Sequence, residues 1–198
     1  MAADLNRINN TLGKMEYHLA THEHPGVSVS GGSDSNVIVH IIATNFRQYL
    51  PKIKFVFCNT GLEYRATLRH LDFMEQTYGI HIDRIRGMSV VTAVKRYGVP
   101  VLIKKFSQFL ARAQRGSESA VRQLHTTVKD SQFGFTSTEM SLADKILRDN
   151  KPKVDSVCCK LSKKTPIHKY KEENKIDLTI TGERRAELGK GNPPALLY

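Results

Sequence analysis

At 198 residues, with 40% hydrophobic and 25% charged side chains, the chain suits one domain with its own core, or one domain with a small appendage. No stretch has the length of a transmembrane helix, residues 1–20 are too polar and acidic for a signal peptide, and three cysteines make no secreted disulfide framework, which together read as a cytoplasmic chain without a membrane partner. The net charge of +11 favours polyanionic partners such as nucleotides or nucleic acids.

Leu5, Ile8, Leu12, Met15 and Leu19 recur every three or four residues and predict an amphipathic helix packing on the main body. His18 and His22 have the helical spacing of metal ligands but no supporting cluster, and Pro25-Gly26 reads as a turn. Val27-Ser28-Val29-Ser30 then alternates as a strand, Gly31-Gly32 breaks it, and an apolar run from Val37 to Ala43 predicts a buried helix. A strand, a glycine turn and a helix N-terminus make a phosphate cradle. The helix leaves backbone N–H groups unpaired at its positive end, and the glycines let an anion approach the main chain. Ser30, Ser33 and Ser35 add hydroxyls, and Asp34 adds a carboxylate suited to magnesium.

Ile53 to Cys58 predicts a second, buried parallel strand, ending in the turn Asn59-Thr60-Gly61-Leu62-Glu63-Tyr64. A helix from about Tyr64 to Tyr78 follows, closed by Gly79, and Ile80, Ile82 and Ile85 mark a third strand. Residues from about 89 to 150 read as helical, with Val90–Tyr97 and Phe106–Gln114 clearest and breaks at Gly98-Val99-Pro100, Gly116 and Gly134. Cys158-Cys159 opens a further helical stretch with an expected break at Pro166, and Ile176–Thr181 predicts a last strand before Gly182-Glu183-Arg184-Arg185-Ala186-Glu187. From Arg84 to Ser117 there is no acidic residue. Cys58, inside a strand, reads as core packing. The organisation predicted is an N-terminal helix and linker (1–25) and an α/β domain (26–198), with a C-terminus that reads as shortened. Its loops at the carboxyl ends of strands are the expected ligand site.

The turn Ser30-Gly31-Gly32-Ser33-Asp34-Ser35 lacks the lysine of a Walker A loop and the spacing of G-x-G-x-x-G. It resembles the PP-loop of the ATP pyrophosphatase and phosphoadenosine phosphosulfate (PAPS) reductase superfamily. Asn59–Tyr64, Tyr97-Gly98-Val99-Pro100 with Lys104, Cys158-Cys159 with Pro166, and Gly182–Glu187 resemble further motifs of that superfamily in the same order, closest to its PAPS reductase-like branch. The resemblance implies a Rossmann-like (adenine nucleotide alpha hydrolase-like), mostly parallel sheet with helices on both faces and a helical insertion. It also implies an adenine nucleotide as ligand, either ATP or a sulfonucleotide (PAPS or adenylyl sulfate).

In that resemblance Ser30, Gly31, Gly32, Ser33 and Ser35 hold phosphates and Asp34 orients Mg2+. Thr60, Gly61, Glu63 and Gly182 line the nucleotide pocket, and Lys104 and Arg184 neutralise phosphate or sulfate oxygens. Cys158 and Cys159 are similar to the paired cysteines that hold half of an iron–sulfur cluster in adenylyl-sulfate reductases, but the later C-x-x-C and the catalytic cysteine of sulfonucleotide reductases have no counterpart. The intact acidic loop favours ATP cleavage between the α and β phosphates, adenylating a substrate in sulfur transfer. The alternatives are a reductase releasing sulfite and a catalytically incomplete nucleotide-binding module. A nucleic acid, a sulfur-donor protein and a second copy of the chain are the further candidate partners.

Overall fold

A computed structural model describes residues 2–129 and 134–183. They divide into two compact units, 2–86 with 165–183, and 87–129 with 134–164. The first unit carries four parallel strands, β1 (Pro25–Ser28), β2 (Lys54–Asn59), β3 (Ile82–Arg86) and β4 (Leu178–Ile180), in the spatial order β3-β2-β1-β4. Val27 of β1 pairs with Phe55 on one side and Ile180 on the other, which makes β1 a central strand. Val27, Phe55, Val56 and Phe57 are therefore buried in succession rather than alternately.

Helices α1 (Ala2–Thr21), α2 (Ser33–Asn45), α3 (Arg65–Tyr78) and α8 (Thr165–Glu173) belong to this unit. Neighbouring residues of a strand point to opposite faces. Arg84 of β3 pairs with Asp72 and Glu75 of α3 at 2.6 and 2.5 Å, whereas Asp83 accepts a hydrogen bond from the Tyr170 hydroxyl of α8. The two helices thus cover opposite faces of the sheet, and the fold is Rossmann-like. The core joins Met15 and Leu19 of α1, Val39 and Ile42 of α2, and Leu71 and Met74 of α3 to the strand residues. Each fully buried side chain of this kind contributes roughly 1.5–3 kcal/mol.

The second unit contains α4 (Val90–Tyr97), α5 (Lys104–Gln114), α6 (Glu118–Leu124) and α7 (Ser137–Asp149). Its separate core packs Phe106 and Leu110 of α5 with Leu124, Phe135, Ile146 and Val154, with Phe106 and Phe135 meeting edge to face at 5.4 Å between centroids. Thr136 and Glu139 form a reciprocal capping box that starts α7.

Three expectations are corrected. Pro25-Gly26 is not a turn but the first rungs of β1; a proline is tolerated as the first strand residue because its missing N–H lies at the end of the ladder. Pro166 does not break the helical stretch. Helical residues run without interruption from 158 to 173, and the π-helical turn Lys160–Lys164 directly precedes Thr165 and Pro166, so the regular α ladder is already interrupted where the proline lacks its N–H. The apolar stripe of α1 is buried only in its second half: Met15 and Leu19 are in the core, while Ile8 is 54% exposed.

Candidate functional site

Chain order across the sheet reverses at β1. From β1 the chain steps through α2 to β2 and through α3 to β3, and later adds β4 on the other side of β1. The point where strand order reverses opens a crevice at the carboxyl ends of the two strands that flank it. The turn at residues 29–32 leaves β1 there, and Thr181-Gly182 leaves β4.

Serine hydroxyls hold the first turn in shape. Buried Ser35 accepts from the Ser30 backbone N–H (3.2 Å), shares a hydrogen bond with the Ser30 hydroxyl (2.9 Å) and donates to the Gly32 carbonyl (3.0 Å). The Ser30 hydroxyl also accepts from the Gly32 N–H at 3.2 Å. Gly31 has φ +75, a backbone that favours glycine, and an added Cβ would lie 2.7 Å from the Thr67 side chain of α3. No side chain caps α2 at Gly32, so its first-turn N–H groups face the turn without an intrahelical acceptor. Exposed Asp34 stands in that first turn, with the Ser33 hydroxyl 3.4 Å from its carboxylate.

Gly182 closes the crevice from the β4 side. A Cβ there would lie 2.8 Å from the Asp34 carbonyl carbon and the Ser35 nitrogen, so the two loops touch through their main chains. The turn after β2 is braced by its own side chains. Glu63 accepts from the Thr60 N–H (3.2 Å) and hydroxyl (2.8 Å), and Asn59 accepts from the Gly61 N–H at 2.8 Å. The Glu63 carboxylate is thereby engaged in shaping the turn.

Lys104 and the pair Cys158-Cys159 lie in the second unit, while Arg184 lies outside the described residues. Cys158 is half-buried and Cys159 exposed. Three cysteines cannot supply four thiolates, and among the described residues no three His, Cys, Asp or Glu side chains converge as a metal site. The chain's own residues therefore do not fit a four-iron cluster. The His18 and His22 spacing is used locally instead: His22 Nδ1 lies 2.9 Å from the His18 carbonyl.

Two residues at the turn escaped the sequence reading. Thr67 fills the space beside Gly31, and Asn36 of α2 meets His70 of α3 at 2.6 Å while its Oδ1 is buried without a partner among the described residues. A polar residue at the end of the first turn of an otherwise apolar helix is the one signal that could have found Asn36.

An uncapped helix N-terminus, a serine-braced glycine turn and a carboxylate at a switch point define a candidate phosphate-binding site in a parallel α/β domain. Residues 24–109 match the family model of the phosphoadenosine phosphosulfate reductase domain, which supports assignment of this region to the PAPS reductase and PP-loop superfamily. Over 74 residues, 37% of this chain, it is 42% identical to the uncharacterized protein MJ0066 of Methanocaldococcus jannaschii; the match spans 15% of that protein's length. Among the described residues no helix is long and apolar enough to cross a membrane.

Proposed function

We propose that the protein binds ATP through Ser30–Ser35 and cleaves it between the α and β phosphates to adenylate a substrate in sulfur transfer. The observation that carries this reading is Asp34, an exposed carboxylate in the first turn of an uncapped helix whose N-terminus is set to receive phosphate. An anion alone would be repelled by that carboxylate; a nucleotide phosphate accompanied by Mg2+ is not. The metal would neutralise charge developing on the leaving pyrophosphate. The chain's own contribution is to orient the phosphate chain on the Ser30–Ser35 main chain, with the hydroxyls of Ser30 and Ser33 at the rim. The acceptor's nucleophile forms a bond to the α phosphorus as the bond to the bridging α–β oxygen breaks, leaving pyrophosphate with the electron pair. Thr60, Gly61, Glu63 and Gly182 bound the nucleotide pocket in this reading, and Arg184 supplies positive charge to the phosphates.

A second reading is favoured by the family match itself: reductive release of sulfite from PAPS or adenylyl sulfate. The experiment incubates the protein with α-labelled ATP and Mg2+, water serving as a slow acceptor, and with PAPS and dithiothreitol in parallel. AMP and pyrophosphate are expected from ATP, falling about 10²-fold or more in Asp34→Ala. ADP and phosphate, or sulfite from PAPS without AMP from ATP, would overturn the proposal. Retained ATP binding with neither reaction would leave a nucleotide-binding module and equally reject cleavage.

A further inference from the structure

The second unit holds a cavity of about 470 Å³ that the phosphate turn does not use. One wall is a stripe of α5 and its C-cap: Lys104, Gln108, Arg112 and the capping Arg115 recur every three or four residues and line it together. At 1.5 Å per residue the stripe extends about 16 Å. The rest of the lining comes from Asp155–Val157 and from Lys160 and Lys164. Five cationic side chains therefore surround a space with a single carboxylate.

That carboxylate is already engaged. Asp155 accepts from the Ser156 and Val157 N–H groups at 2.7 and 3.0 Å and from Arg115. Among the described residues Lys104, Arg112, Lys160 and Lys164 have no carboxylate partner. Lys104 is also placed against its helix, since it stands in the first turn of α5, where the positive end of the dipole disfavours a cation and no acidic residue offsets it. Charge concentrated in this way lowers the stability of the free unit and is relieved by a bound anion.

The lining also contains an aromatic ring. Half-buried Phe109 lies in the cavity wall with the Arg112 guanidinium 5.9 Å from its centroid. A track of cations longer than one phosphate, beside a ring able to stack on a base, is the combination used to hold single-stranded nucleic acid. A free oxyanion would need neither the length nor the ring. We propose that this cavity binds the phosphodiester backbone of a single-stranded nucleic acid, with Arg112, Arg115, Lys160 and Lys164 on phosphates and Phe109 against a base. The site stands independently of ATP cleavage, because binding is measured without ATP.

The test is fluorescence anisotropy of a labelled single-stranded 20-mer titrated with the full chain between 50 and 300 mM salt. With four contacts the expected slope of log affinity against log salt is about −2.8, and Arg112→Gln with Lys160→Gln reduces it to about −1.4. At 0.1 M salt the double variant binds about 25-fold more weakly. Lys145→Gln, an exposed α7 position outside the cavity, leaves slope and affinity in place. A flat salt dependence of the wild type overturns the proposal even if the variants fail to fold. An unchanged double variant, or an equal loss in Lys145→Gln, does so as well. Equal competition by polyaspartate or millimolar phosphate would reveal a site for any anion, and a parallel loss of ATP affinity would assign the cavity to the mononucleotide; either result rejects a nucleic-acid site.

Discussion

Substituting Gly182 by alanine tests whether the two loops at the switch point form one site. The added Cβ would stand 2.8 Å from the Asp34 carbonyl carbon and the Ser35 nitrogen, and 3.0 Å from the Asp34 carbonyl oxygen. Carbon atoms pack best at about 3.5–4.0 Å, so the overlap is roughly 0.7 Å. All three neighbours are main-chain atoms at the start of α2, and none can swing aside as a side-chain end would. Overpacking of this kind costs about 1–3 kcal/mol. Part of that cost appears as lost stability and part as displacement of the phosphate turn, where about 1.4 kcal/mol is a tenfold loss of affinity. Urea unfolding without ligand, paired with ATP titration by calorimetry, reads both. Gly79→Ala is the comparison. Gly79 caps α3 with φ +65 and has open space around it, so alanine there loses about 1–2 kcal/mol of stability through the left-handed backbone alone and leaves ATP binding intact. Wild-type stability together with wild-type ATP affinity in Gly182→Ala would refute the contact between the loops.

Ser35→Ala removes a buried hydroxyl that accepts from the Ser30 N–H and donates to the Gly32 carbonyl; a loss of about 1–3 kcal/mol in urea unfolding is expected, and a neutral result would show that the turn does not depend on it. In the second unit, the Val121 carbonyl first and the Asp144 carboxylate second raise the pKa of His125 above its ordinary value. Because the folded pKa exceeds the unfolded one, charged His125 contributes stability below about pH 6.5, and that contribution is lost as pH rises through the folded value. Asp144→Asn shifts the His125 NMR titration downward and flattens that part of the pH–stability profile. An unshifted titration would contradict the role given to Asp144.

Much of the shape of the Ser30–Ser35 turn was legible in the sequence because its determinants are local. Paired glycines, short hydroxyl side chains and the start of a helix act within six residues, and helix-end electrostatics needs no distant partner. The same holds for the breaks at Gly98 and Gly116 and for the parallel strands, whose apolar runs mark burial on both faces. Local pattern misjudged Pro25 and Pro166, since a proline reads as a breaker unless its place at the start of a ladder, or after a π-helical turn, is known. The pattern did not show that one oxygen of the Glu63 carboxylate accepts from the Thr60 N–H and hydroxyl.

Which strands are neighbours is a different kind of information. The placement of β4 beside β1, and with it the contact of Gly182 on Asp34 and Ser35, joins residues almost 150 positions apart and depends on how the whole sheet buries its core. The basic cavity has the same origin. Charge along α5 alone is a solvated helix face; only packing with residues 155–164 within the second unit brings it around one space. By itself, the sequence determined the local chemistry of a serine- and glycine-rich turn at a helix N-terminus. Tertiary structure decided what meets it, because chain connectivity constrains neighbours along the backbone while burial of a common core selects neighbours across it.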